Sequence, residues 1–304
     1  MLKIGIIGLG DIATKAYLPV ITKHDVEIHL HTRNREKLEG ISNMYRLGYT
    51  HESLDSFISS GITAAFVHTT TSSHEAIIEQ LLINNIDVYV DKPVTYNFDS
   101  SERLIALAEK QRRILMVGFN RRFAPAYAAL KNLPDISMII LQKNRSSQPG
   151  NIRTFIFDDF IHVVDTLLHL FPYAISGISV NGKKDNDTLY HVTVQLVAAS
   201  GAVAMGIMNR DAGTVEERLE VFTPRGKRIV EDVAHTYIHE NKNVTRLSSD
   251  DWQTTLHKRG FEQIIDTFLT TVSASPRIVQ PKDHTLLTHS ICEEIVTQLH
   301  KTEL

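Results

Sequence analysis

Three side chains capable of acid–base chemistry stand at helical spacing in the middle of the chain: Asp158, His162 and Asp165. Separations of four and seven residues place all three on one face of an α-helix. Imidazole is the side chain whose ordinary pKa lies nearest neutrality, so His162 could take a hydroxyl proton while a carboxylate orients its ring. The spacing therefore predicts a proton-transfer site.

Two other interpretations of this helix face stay open. A carboxylate–histidine–carboxylate face is chemically competent to ligate a divalent metal ion. The face could also be structural, with its polar groups satisfied at a domain interface. His235 and His239 stand four residues apart as well, but they are too isolated from other ligand types to indicate a site.

The most specific motif lies near the N-terminus, where Gly8-Leu9-Gly10-Asp11-Ile12-Ala13 follows a predicted strand and opens a predicted helix. The pattern G-x-G-x-x-G/A in this context is the fingerprint of a dinucleotide-binding turn. Gly8 permits the tight turn, and Gly10 lets the backbone approach a pyrophosphate. The helix N-terminus, beginning at Asp11 and Ile12, faces the phosphate charge. The motif predicts a nicotinamide dinucleotide cofactor.

The end of the second predicted strand bears on the choice between NAD and NADP. NAD-specific versions of the motif place an acidic residue there, about 20 residues on, to bind the adenosine ribose. This chain has His31-Thr32-Arg33-Asn34 instead. Because the hydroxyl of Thr32 and the guanidinium of Arg33 suit a 2′-phosphate, the sequence favours NADP. The alternative is that Arg33 is only a solvated surface residue.

Two later strands also end in residues suited to a cofactor. The third strand ends in Thr69-Thr70-Thr71-Ser72-Ser73-His74, at the carboxyl edge where such sheets bind ligands. We predict cofactor contacts from Thr69, Thr70 and His74, with helix capping as the alternative role of the hydroxyls. The fourth strand ends in Asp91-Lys92-Pro93. Its lysine is a candidate contact for both nicotinamide and substrate, rather than an ordinary surface charge.

Alternation of short apolar runs with helical stretches predicts the first domain. The runs alternate with helices such as Arg35 to Tyr45 and His74 to Asn84, and a further helix is predicted to begin at Asp99, with Glu102 completing a capping box. This rhythm indicates βαβ units and a six-stranded, doubly wound parallel sheet. The strand candidates are Lys3 to Ile7, Glu27 to His31, Ala64 to His68, Asp87 to Val90 and Ile114 to Phe119.

After about Arg122 the pattern changes. A strand, an exposed loop and a helical stretch precede long alternating segments with hairpin turns, which predict a mostly antiparallel sheet, and two helices close the chain. We therefore expect an α/β Rossmann domain over residues 1–121 and an α+β domain over residues 122–304. The segments are Ile136 to Gln142, Ser146 to Asn151, Thr154 to Phe171, Tyr190 to Ala198, Ala202 to Met208, Arg218 to Thr223, Thr255 to Ser273 and His284 to His300.

Composition excludes several classes of partner. The 304 residues carry a net charge of -3 and no dense block of Lys or Arg, which argues against nucleic acid or a membrane surface. The single cysteine, Cys292, allows no intramolecular disulfide and suits a buried helical position. The start of the chain has no signal-peptide pattern, and no apolar run approaches the roughly 18 residues of a membrane span. We expect a cytoplasmic protein with a small-molecule partner.

With these motifs in view, the chain resembles the Gfo/Idh/MocA family, named for glucose–fructose oxidoreductase, inositol dehydrogenase and rhizopine catabolism. The resemblance covers essentially the full length. Within the family the chain is similar to the branch of virulence-factor-like dehydrogenases. The matching segments are Gly8 to Ala13, Asp91-Lys92-Pro93 in place of the family's Glu-Lys-Pro, Gly118 to Phe123, and Asp158 to Asp165.

The resemblance implies a two-domain fold, nicotinamide-linked oxidation of a sugar or polyol hydroxyl or the reverse reduction, and homo-oligomers, dimers or tetramers, that assemble through the outer face of the second sheet. It also implies a catalytic set of Lys92, Asp158 and His162. Substrate contacts are implied for the same three residues and for Asn120, Arg121 and Asp165. Two departures stand out: Asp91 replaces Glu, and the segment before Asp158 lacks the family's glycines, which suggests a differently shaped pocket.

Two rival functions belong to other classes. One is a non-catalytic dinucleotide-binding sensor that kept the fold and lost turnover. The presence of Lys92, Asp158 and His162 together counts against it, because a pure binder has no chemical need for that set. The other is a metal-assisted enzyme that uses the Asp158, His162 and Asp165 face.

Overall fold

The computed structural model describes residues 1–247, 250–274 and 284–301. Contacts divide the chain into two compact units, one formed by Met1–Gly118 with Phe261–Leu286 and the other by Phe119–Gly260 with Leu287–Leu304. Within the described residues, no helix is both long enough and apolar enough to cross a membrane.

The first unit confirms the predicted doubly wound sheet. Its six described strands are all parallel, in the order β3-β2-β1-β4-β5-β6. The elements are β1 (Leu2–Ile7), a π-helical turn (Ala13–Tyr17), α1 (Leu18–Ile21), β2 (Val26–His31), α2 (Arg35–Tyr45), β3 (Tyr49–His51), α3 (Leu54–Ile58), β4 (Ala64–Val67), α4 (Thr71–Ile83), β5 (Asp87–Val90), α5 (Phe98–Gln111) and β6 (Leu115–Val117).

The inner strands β4 and β5 are covered on both faces. Every residue of β4 and β5 is buried, as expected for parallel strands with helices on each side. The first strand is apolar and buried over its last four residues. Their carboxyl ends therefore form a rigid edge on which the following loops begin.

The predicted start of α5 is wrong by two residues. The side chain of Asn97, not Asp99, caps the helix, because its amide oxygen accepts from the backbone N–H groups of Asp99 (2.8 Å) and Ser100 (3.4 Å). Asp99 lies in the first turn, where a negative charge also suits the helix dipole. The competing Asn two residues upstream offers the same capping chemistry.

The second unit is built on a large sheet in the order β15-β14-β13-β12-β7-β11-β10, and both β8 and β9 pair with β10. All neighbours are antiparallel except β7 and β11, which confirms the mostly antiparallel prediction. The elements are a 3₁₀ turn (Asn120–Phe123), α6 (Pro125–Ala128), β7 (Met138–Asn144), β8 (Gly150–Asn151), α7 (Ile152–Phe155), a π-helical turn (Ile156–Phe160), α8 (Ile161–Leu170), β9 (Ile175–Asp185), β10 (Thr188–Ala198), β11 (Val203–Asn209), β12 (Glu216–Thr223), β13 (Gly226–Glu231), β14 (His235–Glu240), β15 (Asn243–Leu247) and α9 (Thr255–Lys258).

Helix α8 lies against one face of this sheet. A Cβ atom at Gly206 in β11 would come within 2.8 Å of Val163 and 3.1 Å of Leu167. The missing side chain therefore lets the helix approach the strand closely. This contact packs α8 against the middle of β11.

The predicted helix over Thr255 to Ser273 is instead two helices. Gly260 separates α9 from α10 (Phe261–Ser273), with φ at +81° and the position of its Cβ only 2.2 Å from the carbonyl oxygen of Asn120. Any other residue would be strained there and would clash. Glycine thus ends α9 and lets the chain change direction.

Helix α10 belongs to the first unit, whereas the predicted division was contiguous at residues 121 and 122. Its aromatic residues pack on aromatic residues of the Rossmann sheet: Phe261 lies 5.6 Å from Tyr17, and Phe268 lies 5.0 Å from Phe66, between ring centroids. The strong apolar face of α10 is buried in this way. The final helix, α11 (Thr285–Lys301), follows.

Candidate active site

The glycine turn after β1 has the shape of a dinucleotide cradle. Gly8 has φ at +87°, and a Cβ there would come within 2.6 Å of the backbone of His68 and Thr69. Its N–H donates to the carbonyl of His31 at 3.0 Å, which joins the turn to the end of β2. At Gly10, in contrast, a Cβ would meet no atom within 4 Å. The protein itself leaves this space open, as a pyrophosphate approaching the backbone requires.

The two residues after the turn are accessible. The carboxylate of Asp11 accepts from Lys15 at 2.7 Å, and this bond lowers its pKa. Ile12 is 40% exposed. An apolar side chain at the mouth of a glycine turn is suited to covering a bound cofactor.

The end of β2 carries no acidic residue. Thr32 is half-buried and Arg33 is exposed, and Asn34 caps α2 by accepting from the N–H of Lys37 at 2.9 Å. Thr32 and Arg33 thus lie directly after β2, whose last residue, His31, is bonded to the glycine turn. Their selectivity for NADP stays a prediction.

Helix capping does not account for the hydroxyl groups after β4. Thr70 occupies the cap position of α4 without a side-chain capping bond, and its hydroxyl lies 3.2 Å from that of Ser73. The hydroxyl of Thr69 is buried and has no hydrogen-bond partner among the residues that the structure describes. A buried hydroxyl without a hydrogen bond lowers the stability of the fold. Thr69 is therefore the residue of this segment whose hydroxyl would gain most from a bound ligand.

His74 connects the ends of two strands. It is buried, with Nδ1 at 3.0 Å from the carbonyl of Pro93 and Nε2 at 3.1 Å from that of Thr69. Burial lowers its pKa. His74 therefore ties the backbone at Pro93, next to Lys92, to the backbone at Thr69. Its predicted direct contact with the cofactor stays a prediction.

The carboxylate of Asp91 is held by His68, which none of the sequence motifs indicated as a site residue. Nδ1 of His68 lies 2.8 Å from Oδ2 of Asp91. Burial opposes ionisation of this carboxyl, but His68 outweighs it, so the pKa of Asp91 is lowered. The signal that could have identified His68 was its place at the end of β4, one residue before Thr69.

Beneath this pair lie two tyrosines, Tyr17 and Tyr89, whose hydroxyl oxygens are 2.7 Å apart in the interior. The ring of Tyr17 lies 4.0 Å from that of His68. A Cβ at Gly118 would come within 2.9 Å of the Tyr89 hydroxyl. The partly exposed Lys92 thus follows a densely packed polar network.

In the second unit, Asp158 and His162 lie on consecutive turns. Asp158 is in the π-helical turn, where the N–H of Ile161 donates to the carbonyl of Ile156 five residues back. His162 is in the first turn of α8. Both side chains are partly exposed, as proton-transfer residues need to be.

Asp165 has a different environment. It is 1% exposed, and its carboxylate accepts from Nε of Arg122 at 3.0 Å and from the hydroxyl of Thr288 at 3.2 Å. The extra residue of the π-helical turn alters the regular i, i+4, i+7 repeat. These contacts engage Asp165 within the protein, and its predicted contact with substrate stays untested.

The metal interpretation finds no support. Over the described ranges of the chain, no group of three His, Cys, Asp or Glu side chains is arranged to hold a metal ion. Burial of Asp165 beside Arg122 gives the reason, since a guanidinium already satisfies the carboxylate.

Asn120 and Arg121 are also engaged within the protein. The amide of Asn120 donates to the carbonyl of Arg259 at 2.8 Å, and Arg121 makes two bonds of 2.6 Å to Glu217. Burial raises the pKa of Glu217, but the charge of Arg121 outweighs this effect and lowers it to about 2. Their predicted contact with substrate stays untested, while their structural contacts are evident.

A second charged cluster was not predicted. The carboxylate of Asp159 accepts from Lys143 and, at 3.1 Å, from Arg145. Burial and the charge of Arg121 lower the pKa of Lys143 to about 8. The available signal was the alternation of two cations at the end of a strand, together with an acid directly after Asp158.

The fold and the glycine turn place the chain among oxidoreductases with an NAD-binding Rossmann domain. Residues 2–119 match the model of the GFO_IDH_MocA oxidoreductase family, with its NAD-binding Rossmann fold, and residues 125–241 match the YceM-like C-terminal domain. The chain belongs to the Gfo/Idh/MocA family of oxidoreductases.

Relatives and solved structures agree with this assignment. The YceM protein of Salmonella typhimurium is 34% identical over 270 residues, 86% of each chain. The dehydrogenase MviM of Clostridium difficile superposes with a TM-score of 0.90 at 32% identity, covering 98% of this chain and 99% of that one. A myo-inositol 2-dehydrogenase of Thermotoga maritima is 25% identical over 271 residues, 78% of this chain and 77% of that protein.

Proposed function

We propose that the protein is an NADP-preferring dehydrogenase or reductase that acts on a hydroxyl or carbonyl carbon of a sugar, polyol or related small molecule. The observation that carries this proposal is the open space at Gly10 beside the Gly8 turn, which fits a dinucleotide. The inositol dehydrogenase among the relatives, whose substrate is a polyol, supports the substrate class.

The residues of the first unit fit the cofactor. The turn at Gly8 and Gly10 would hold the pyrophosphate, Thr69 offers a buried hydroxyl without a partner among the described residues, and Thr32 and Arg33 would bind a 2′-phosphate. When bound, the nicotinamide accepts or donates the hydride. The remaining chemistry belongs to side chains of this chain.

Proton transfer falls to His162. Its imidazole takes the proton of the substrate hydroxyl during oxidation and returns it during reduction. The carboxylate of Asp158, one turn earlier, favours the protonated imidazole. The ammonium group of Lys92 stabilises negative charge on the substrate oxygen.

The decisive experiment is a substrate screen with the full-length protein. Sugars, polyols, their phosphates and their keto forms are each mixed with NAD, NADP or the reduced cofactors, and the absorbance of the reduced nicotinamide is followed. Turnover of at least one compound class, faster with NADP, is expected. Tight cofactor binding without turnover of any compound would favour the non-catalytic sensor instead.

We further propose that the protein works in the cytoplasm as a homo-oligomer, a dimer or tetramer. Light scattering coupled to size-exclusion chromatography measures the assembly directly. A monomer at micromolar concentration would contradict this proposal.

A further inference from the structure

Two arginines stand side by side at the ends of neighbouring strands in the second unit. Asn144 and Asn209 are paired in the parallel register of β7 and β11, so the residues after them, Arg145 and Arg210, follow at the same level. The N–H of Arg145 donates to the carbonyl of Asn209 at 2.8 Å. Two cationic residues on adjacent backbone segments repel each other unless an anion compensates them.

Among the described residues, a carboxylate compensates the charge of only one of these two arginines, Arg145. Arg145 donates to the carboxylate of Asp159, which Lys143 also contacts. Arg210 instead lies over the ring of Phe155, 4.9 Å from its centroid. No carboxylate among the described residues forms an ion pair with Arg210, and its Nε is buried without a hydrogen-bond partner there. A buried donor left unpaired costs free energy.

The surrounding charges leave a positive excess. Arg121 is paired with Glu217, and Lys143 and Arg145 share the carboxylate of Asp159. Arg210 adds a third cation, which has no carboxylate partner among the described residues. Burial, together with the charge of Arg121, lowers the pKa of Lys143.

The cations flank the turn that carries the proton-transfer residues. Phe155, on which Arg210 lies, immediately precedes the π-helical turn that contains Asp158. Gly150 lies beside the guanidinium without a side chain: a Cβ added there would be 3.9 Å from Nη1 of Arg210, an ordinary contact distance. An anion bound here would sit within about two helical turns of His162 along the same helical segment.

We propose that Arg210, assisted by Arg145, binds an anionic group of the substrate, so that the substrate is a sugar or polyol derivative bearing a phosphate or a carboxylate. A guanidinium is the side chain best matched to either group, because its donors can bind two oxygens at once. This inference rests on the proposed function and adds a charge requirement to it.

The test is a binding measurement that does not depend on turnover. A panel of sugar phosphates, sugar acids and inositol phosphates, each with its neutral parent compound, is titrated into the NADP-loaded protein by calorimetry. We expect at least one charged compound to bind about tenfold or more tightly than its parent, with an affinity that falls as salt rises. Comparison of phosphate with carboxylate members identifies the group.

Variants connect the preference to Arg210. Arg210→Gln should weaken binding of the charged compound by about 10- to 100-fold and leave the parent compound unaffected, as expected for loss of a charge-assisted bond. Arg210→Lys, which keeps the charge, should restore part of the affinity. Arg246→Gln removes another arginine that lies over an aromatic ring, 6.0 Å from Tyr237, and serves as the control. Melting temperatures confirm that each variant is folded.

Equal affinity of every charged compound and its parent, or equal losses for both in Arg210→Gln, would overturn the inference while leaving the proposed function standing. Anion binding that depends on Arg210, without turnover of any compound in the substrate screen, would support the anion site and contradict the proposed enzyme activity.

Discussion

Nδ1 of His68 lies 2.8 Å from Oδ2 of Asp91, so the residue after β4 holds the residue after β5. The ring of His68 is wholly buried, and Asp91 directly precedes the proposed catalytic lysine, Lys92. Because a buried hydrogen-bonded pair has few alternative geometries, this contact restricts the position of the backbone from which Lys92 projects. His68 is thus a positioning residue for the site.

The first prediction concerns this pair. His68→Ala should lower kcat by about 10- to 100-fold, since misplacement of a catalytic group by about 1 Å can cost that much. Loss of His68 also removes the interaction that lowers the pKa of Asp91, so protonation of Asp91, and the acid limb of the pH–rate profile, should move to higher pH. His24→Ala, which removes a partly exposed histidine of the same unit paired with Asp266, is the control. An unchanged acid limb in His68→Ala would rule out the positioning role.

The second prediction concerns proton transfer. His162→Ala should keep its melting temperature and cofactor affinity but lose kcat by roughly 100- to 10,000-fold, the usual value of general acid–base help. The limb of the pH–rate profile that belongs to the imidazole should disappear. Near wild-type kcat over the whole pH range would make the helix face structural.

Lys92→Ala is expected to differ from His162→Ala in one respect. Both variants should lose turnover, but Lys92→Ala should also bind the cofactor somewhat more weakly, because its ammonium group is proposed to contact nicotinamide as well as substrate. Fluorescence titration of the reduced cofactor against both variants makes the comparison. Identical cofactor affinities would limit Lys92 to the substrate.

Cofactor selectivity gives a fourth prediction. Arg33→Ala should weaken NADP binding by about 1.5–3 kcal/mol, the value of a charge-assisted hydrogen bond, and leave NAD binding unchanged. Arg225→Ala, in the turn between β12 and β13, is a matched loss of charge far along the chain. Equal affinities of the wild-type protein for NAD and NADP would refute the assignment.

The buried pair of Arg121 and Glu217 gives a prediction about stability. Glu217→Ala leaves an uncompensated buried guanidinium and should lower the free energy of unfolding by about 3–5 kcal/mol at pH 7. The pKa of Glu217 is lowered in the folded state, from 4.5 to about 2. Its contribution is therefore fully present above pH 4.5 and is lost as the pH falls from 4.5 towards 2.

Urea denaturation of wild type and Glu217→Gln at several pH values between 3 and 7 measures this contribution. The difference between the two proteins should shrink as the pH falls. A difference that stays constant over this range would mean that the carboxylate charge is not what stabilises the pair.

Local features of the first unit were predictable from sequence because local interactions determine them. The bounds of α2 and β5 match the predicted ranges, since a capping Asn34 and a short apolar run mark them. The glycine turn was recognisable because φ at Gly8 excludes other residues. β3, at the exposed edge, was not located, since Tyr49–His51 is too short to show a pattern.

Long-range contacts were the part that the sequence did not reveal. The burial of Asp165 depends on Arg122, 43 residues away, and on Thr288, 123 residues away. The pair of His68 and Asp91 arises only because β4 and β5 are neighbours in the sheet. Spacing along one helix indicated which residues share a face, but the partners that bury or neutralise them come from other elements.

The packing of α10 on the Rossmann sheet has a consequence for how the protein is made. During synthesis, Met1–Gly118 emerges from the ribosome before Phe261 and Phe268 have been added to the chain. The rings of these two residues cover Tyr17 and Phe66. Until then the nascent sheet exposes aromatic surface, the kind of surface that invites aggregation and chaperone binding. A fragment that ends at residue 118 should therefore be far less soluble than one to which the α10 segment is supplied as a peptide.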